Sequence, residues 1–402
     1  MPRTGWAADG AEVRRVLIAL AVVCALLPVE IVVKLALNSD VLFPDFFALW
    51  SWGRFVLTHA PATIYDDRTI FAFHAEQGMP DGLYYPFWYP PWILLLLAPL
   101  GALPYPLARA GWLVVTFALY LAALAAWRWE RKLVVVALLA PSSAICFLVG
   151  HNGFLSAALM LGGLRLLRSR PMTAGALLAA LAYKPQLAVL APFVLLFGRH
   201  WRAMAGAALA VCVLSLAVTV AFGPEIWGAW MVNMRDQAMG ATPRLSAQYD
   251  KMPTVNSAVL LLGGTMGLAR AAQVAGACAG IFALWRVRGR VDAEANAVLA
   301  LSAILATPYA FLYDLPVTTG AVLAVIAARI AAKGQFGSVE FPLLLGCVIL
   351  PVVLVARAGP LAAVVPAVFA ALVYVFARER YGGAAVDRVP GPLAPAAPPT
   401  PG

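Results

Sequence analysis

From Ala203 to Phe222 the chain runs for 20 residues without a charged side chain. A run of that length suits one helical crossing of a hydrocarbon layer about 30 Å thick. In lipid the backbone must satisfy its own polar groups, which leaves only helices and closed barrels. The pattern repeats: apolar runs fall at about 16–37, 108–127, 133–149, 153–168, 172–183, 186–197, 203–222, 268–285, 294–310, 315–330, 341–356 and 361–377. The expectation is an all-α polytopic membrane protein with about twelve transmembrane helices, several of them short enough to need tilting or a thinned bilayer. Composition agrees. Of 402 residues 63% are hydrophobic and 12% charged, against about half and a quarter in a soluble domain. A soluble enzyme, a nucleic-acid binder and a secreted disulfide scaffold are excluded. Cys24, Cys146, Cys212, Cys278 and Cys347 lie inside apolar runs without a CxxC, and read as buried small hydrophobes.

The net charge of +10 is informative through its placement. With residues 1–15 in the cytoplasm, Arg14/Arg15, Arg128/Arg131/Lys132, Arg165/Arg168/Arg170, Arg199/Arg202, Arg286/Arg288/Arg290, Arg329/Lys333 and Arg378/Arg380 all fall on that side. The layout holds only if the Pro- and Gly-interrupted stretches 86–103 and 254–267 are re-entrant or interfacial. The first run continues through Pro28 and Glu30 to about Leu37 without a small-residue cleavage site, and reads as a retained span. Residues 16–380 form one transmembrane domain, and the Pro/Ala/Gly-rich stretch 381–402 is expected to be a disordered cytoplasmic tail. The long loops, about 38–86 and 223–253, face outward, and so does any chemistry.

Five stretches bring polar groups to that outer surface. They are Asp45 and Arg54 in the first loop, the hairpin of His151 and Asn152, the junction Tyr183-Lys184-Pro185-Gln186, Arg235 and Arg244 in the second loop, and Tyr313-Asp314. Each has a plain structural reading. Asp45 can cap a helix over 46–58, Lys184 can snorkel, and His151 can be a solvated turn residue. Tyr313-Asp314 can anchor and cap, and Asp66 and Asp67 can solvate a loop. Their convergence argues for function, because ionisable groups at membrane depth are costly. The segment 46–58 reads as an amphipathic helix for the headgroup region. The aromatic run from Tyr84 to Trp92 suits an interfacial loop that flanks a lipid or stacks on a sugar.

The stretches FPDFFALWSWGRFVL (43–57), YPFWYPPWILLLLAPL (85–100), GHNGFLSAALMLGGL (150–164), YKPQLAVLAPFVLL (183–196) and TPYAFLYDLPV (307–317) together resemble the GT-C membrane glycosyltransferases, and more closely glycosyltransferase family 87. The family commonly has Gln where His151 stands. The resemblance implies a GT-C-like fold and transfer of a hexose, typically mannose, from a polyprenyl-phosphate donor to a glycan or glycolipid acceptor. The resemblance further implies that transfer takes place outside a bacterial-type cytoplasmic membrane, with inversion. It also implies a catalytic base in the first outer loop, and the matching residue is Asp45.

The residues support that chemistry in their own right. Nucleotide sugars are cytoplasmic, whereas the polar groups face out. Inverting transfer needs one carboxylate to take the acceptor proton and cations or donors for the departing phosphate. Asp45 suits the first role. Lys184, Arg54 and Arg235 or Arg244 are candidate phosphate partners, and Tyr183 and Gln186 are neutral donors. His151, Asn152, Tyr313 and Asp314 complete the candidate substrate site. No His/Asp cluster has metal-ligand spacing, so no metal and no cofactor is expected, and the partners are the lipid-linked donor, the acceptor and membrane lipids, with no nucleic acid. The competing class is a secondary transporter or lipid flippase, which would carry polar groups at the midplane of broken helices.

Overall fold

The computed structural model describes residues 44–80, 83, 85–125, 131–238, 248–332 and 336–378, with isolated positions between 11 and 22. The span expected over 16–37 lies almost wholly outside the described residues, as do Arg128, Lys333, Arg244 and the 381–402 tail.

The described elements are helices. Five are long and apolar enough to cross a membrane: Tyr105–Ala125, Trp201–Phe222, Met266–Arg286, Leu312–Ala331 and Gly359–Arg378. Six shorter apolar segments accompany them: Pro91–Gly101, Gly153–Leu166, Pro171–Tyr183, Pro185–Phe197, Ala293–Ala306 and Glu340–Val355. Two runs that the sequence presents as continuous are broken by proline. The 133–149 run divides into Arg131–Leu139 and Pro141–Val149, and 341–356 into Glu340–Ile349 and Pro351–Val355. Proline has no N–H to give the preceding turn and is at ease as the first residue of the next helix.

Burial separates inner helices from outer ones. In the apolar window of Leu312–Ala331 78% of residues are buried, against 11% in Trp201–Phe222. The first is the central helix, packed by Gly153–Leu166 and Ala293–Ala306. The second turns most of its side chains to the surroundings. Cys146 and Cys347 are buried as expected, but Cys212 and Cys278 are exposed on outward-turned helices, where an apolar thiol meets lipid at no cost.

Helix Pro44–Thr58 departs from the amphipathic expectation. Phe46, Phe47, Ala48, Leu49, Trp50, Ser51, Trp52, Phe55 and Val56 are all buried, so it is enclosed by protein on nearly every side. Its cover includes helix Leu94–Gly101, whose eight residues reach about 12 Å, too short to cross a bilayer alone. The two cross backbone to backbone. A Cβ on Gly53 would stand 1.9 Å from the Leu97 carbonyl oxygen, and one on Gly101 2.1 Å from the Arg54 nitrogen. At the opposite end of the helices, Arg290 pairs with Asp292 (2.7 Å) and Glu294 (2.8 Å), and Arg329 with Glu294 (2.6 Å) and Glu340 (2.8 Å). These pairs tie two of the basic clusters assigned to one side into a single layer.

Candidate active site

The hairpin between Pro141–Val149 and Gly153–Leu166 is built for close approach. Gly150 closes the first helix in the left-handed conformation (φ 70°), which glycine adopts without steric cost. A Cβ on Gly153 would lie 1.8 Å from the Tyr313 carbonyl oxygen, so only glycine lets the hairpin reach the 3-10 turn Leu312–Asp314. Pressed together in this way, the His151 ring stacks on Tyr313 with centroids 4.0 Å apart and planes 15° from parallel. His151 is buried and does not occupy the solvated turn that the sequence suggests. Asn152 donates its backbone N–H to His151 Nδ1 at 2.9 Å. Burial, and after it the charge of Lys184, hold the His151 pKa well below its ordinary value, outweighing the side-chain oxygen of Asn152 at 2.7 Å from Nδ1; the imidazole is neutral.

Lys184 stands where a short 3-10 turn, Leu181–Tyr183, gives way to helix Pro185–Ala188. It is 1% exposed and does not snorkel. Its ammonium donates to Asp314 Oδ1 and lies 5.0 Å from the centre of the Tyr313 ring. The second oxygen of Asp314 accepts the Phe311 N–H at 3.1 Å, so this carboxylate caps its own turn while it serves as counter-ion to Lys184. Tyr183, one residue earlier, exchanges a hydrogen bond with Ser156 (2.7 Å) and donates to the Asn152 carbonyl (3.2 Å). Gln186 follows, half-buried, two residues past Lys184.

Asp45 lies in the first turn of helix Pro44–Thr58, where the positive end of the helix favours a carboxylate. The helix includes the residue before it, so Asp45 is not a helix cap, which is the plain reading of its place in the sequence. Its carboxylate accepts a hydrogen bond from the Tyr85 hydroxyl. Burial raises its pKa above the usual carboxylate value, and the Tyr85 hydrogen bond and the charges of Lys251 and Lys184 only partly offset this. The charge of Asp45 also acts on Tyr89, which burial already holds protonated. Tyr89 joins the pieces: its hydroxyl accepts from Asn152 Nδ2 at 3.3 Å and sits 3.4 Å from His151 Nε2.

The loop carrying Tyr85 and Tyr89 is pinned from several directions. Tyr65 donates to the Tyr89 carbonyl (2.8 Å), and Asn233 of helix Glu225–Ala238 donates to the Phe87 carbonyl (3.1 Å). Trp92 donates to Ser215 (3.2 Å), and Trp52 meets Phe87 and Tyr89 edge-on.

The structure thus brings Asp45, His151, Asn152, Tyr183, Lys184, Tyr313 and Asp314 into one neighbourhood. Other candidates stand apart. Arg54, nine positions beyond Asp45, is about 13 Å further along the helix. It stacks on Trp50 (5.5 Å) and donates to the Gly101 carbonyl (3.5 Å), which makes it part of the helix crossing. Arg235 is exposed and paired with Asp236 at 3.3 Å, and Arg244 lies outside the described residues. Asp66 is no idle loop residue, since it caps helix Asp67–Glu76 through the Thr69 N–H (3.1 Å). Among the described residues no three His, Cys, Asp or Glu side chains group as metal ligands.

The family model of Glycosyltransferase family 87 matches residues 87–313, more than half of the chain. The chain belongs to glycosyltransferase family 87. It is therefore a membrane glycosyltransferase, consistent with the GT-C superfamily. Searches of curated proteins and of solved structures found no match. The family 87 match takes in Tyr89, His151, Asn152, Tyr183, Lys184 and Tyr313; Asp314 is the next residue after it, and Asp45 precedes it. Sequence reasoning missed Tyr85, Tyr89 and Ser156 as members of the cluster. The signal for the tyrosines was the proline-stiffened run Tyr85-Pro86-Phe87-Trp88-Tyr89-Pro90-Pro91, whose hydroxyls needed partners once the loop was buried.

Proposed function

We propose that the protein transfers a hexose, mannose in the first instance, from a polyprenyl-phosphate donor to a glycan or glycolipid acceptor on the outer side of the membrane. The observation that carries this reading is the unequal state of two neighbouring carboxylates. Asp314 is committed to Lys184 and to its own turn, whereas Asp45 makes no ion pair among the described residues and has its pKa raised. A carboxylate held above its usual pKa is a stronger base, better matched to a hydroxyl proton.

The acceptor oxygen attacks the anomeric carbon as its proton passes to Asp45. The bond from that carbon to the phosphate oxygen breaks, and the electron pair leaves with the lipid phosphate. One displacement inverts the anomeric centre. Lys184 has three N–H donors, of which Asp314 uses one, so the ammonium retains donors for the departing phosphate. Tyr85 steadies the base, and the buried hydroxyl of Tyr89, which accepts from Asn152, offers a neutral donor. Arg54, placed at the helix crossing, has no part in this scheme.

The test offers purified, reconstituted protein a radiolabelled sugar on polyprenyl phosphate or on a nucleotide, with a glycolipid acceptor. Label should move from the lipid donor alone. Transfer from the nucleotide sugar would sink the donor assignment, and passage of intact donor across the bilayer without transfer would favour a flippase.

A further inference from the structure

The Asp45 cluster has a sealed floor and an accessible rim. His151, Asn152, Tyr183, Lys184 and Asp314 are buried, whereas Asp45, Tyr85 and Tyr313 are half-buried. A phosphate that enters the site meets the rim first. Lys184 lies below it, against the Tyr313 ring, with its charge matched by Asp314. Arg54 belongs to the helix crossing, and Arg235 is paired with Asp236. Lys251 is committed to neither kind of contact. It is half-buried, and among the described residues its ammonium has no hydrogen bond and no ion pair.

A series of tethers fixes the place of Lys251. It closes the 3-10 turn at 248–251, which Arg357 holds from outside by donating to Asp250 at 2.8 Å. Met252, 2% exposed, anchors the turn from within, and its N–H donates to the Tyr249 carbonyl at 3.1 Å. Thr254 then caps helix Val255–Leu261 through the Ser257 N–H (3.2 Å). In the first turn of that helix Asn256 donates its N–H to Gln273 Oε1 (3.0 Å), and Gln273 Nε2 donates to the Leu305 carbonyl (2.7 Å). Leu305 lies near the end of Ala293–Ala306, where the chain enters the loop that carries Tyr309, Tyr313 and Asp314. Tyr249 stands within electrostatic reach of Tyr309 in that loop. The Lys251 turn is therefore moored beside the cluster. Its field reaches the base: burial raises the Asp45 pKa, and among the charges that oppose burial Lys251 outweighs Lys184.

Conservation of charge indicates what such a cation does. A sugar phosphodiester carries one negative charge. When the acceptor oxygen attacks the anomeric carbon, its proton passes to Asp45. The broken carbon–oxygen bond leaves its electron pair on the phosphate, which becomes a dianion. Lys184 and Asp314 stay balanced throughout. Lys251 balances Asp45 before the step, and its charge becomes available to the phosphate as Asp45 is neutralised.

We propose that Lys251 is a phosphate-binding residue of the donor site, holding the lipid-linked phosphate at the rim and countering the charge that builds on it. The assignment rests on the transfer reading above, and its test separates the two.

Binding of a polyprenyl phosphate and of the matching polyprenol is measured on the full chain in neutral nanodiscs, for wild type, Lys251→Gln and Lys251→Arg. Wild type should bind the phosphate about 10-fold or more tightly than the alcohol. Lys251→Gln should bind the phosphate about 10- to 100-fold more weakly, as loss of a charge-assisted contact predicts, and the alcohol as wild type does. Lys251→Arg, which keeps the charge, should recover most of the phosphate binding. Phosphate binding by Lys251→Gln equal to wild type overturns the Lys251 assignment and leaves the transfer reading standing. Equal loss of phosphate and alcohol binding in Lys251→Gln marks a structural role and overturns it as well. Wild type with no preference for the phosphate over the alcohol overturns the donor reading, and this proposal with it.

Discussion

Asp314 and Asp45 lie in the same cluster but are held differently, and substitutions should separate them. Removing Lys184 leaves Asp314 as a buried, unpaired charge. Lys184→Ala is expected to lose about 3–5 kcal/mol of stability, read as a lower melting temperature in detergent. Lys184→Met with Asp314→Asn should recover most of it. The double variant should still use the donor about 10- to 100-fold less well, the value of a charge-assisted contact of about 1.5–3 kcal/mol; donor kinetics equal to wild type would make the pair purely structural. For Asp45 the pH dependence has a definite sign. As the proposed base, Asp45 must be ionised, so transfer is expected to fall as pH drops through its raised pKa. The Tyr85 hydroxyl favours the ionised form, so Tyr85→Phe should move the acid limb of the rate profile to higher pH. An acid limb at the ordinary carboxylate position, unmoved in Tyr85→Phe, would remove Tyr85 from the site. Stability has the same logic. A raised folded pKa means that ionising Asp45 weakens the fold as pH rises through that value, so Asp45→Asn should be neutral or slightly stabilising at pH 7. At this scale sequence identified Lys184, His151 and Asp314 singly. It could not show that Lys184 and Asp314, 130 positions apart, would pair, because nothing local records a partner so distant.

The cluster exists because short elements approach closely. Gly153 has no room for a side chain against the Tyr313 carbonyl. Gly153→Ala is expected to cost about 1–3 kcal/mol and to part the His151 hairpin from the Tyr313 turn. Transfer should then drop more than stability alone explains, measured at a temperature where the variant stays folded. Wild-type turnover in Gly153→Ala would show that the contact does not hold the site. The elements themselves were legible where the apolar pattern was long and uniform, as in Trp201–Phe222. They were misread where two environments give the same pattern. In FFALWSWGRFVLT, Trp52 and Arg54 look like the polar face of an interfacial helix, yet Trp52 packs on Phe87 and Tyr89 and Arg54 reaches Gly101. Hydrophobic periodicity reports that a helix is covered; it does not report whether lipid or protein covers it.

For the whole molecule the placement of the basic clusters predicts the sidedness of the proposed mechanism. In a cysteine-free background, Glu130→Cys and Arg288→Cys should resist an impermeant thiol reagent added outside, and Gly240→Cys should react. Outside labelling of position 130 would require the 86–103 stretch to cross and would overturn the layout. The ion pairs of Arg290 and Arg329 with the shared Glu294 support a single basic layer at one end, with the Asp45 cluster at the other. The account stands most directly on single-turnover transfer from a labelled polyprenyl-phosphate sugar by wild type and Asp45→Asn, with donor binding measured on the same preparations. Loss of general-base assistance is worth about 10²–10⁴-fold, so the variant should bind donor normally and transfer at least 100-fold more slowly. Near-full transfer by Asp45→Asn, with Asp314→Asn inactive but folded, would move the base to Asp314 and contradict the assignment.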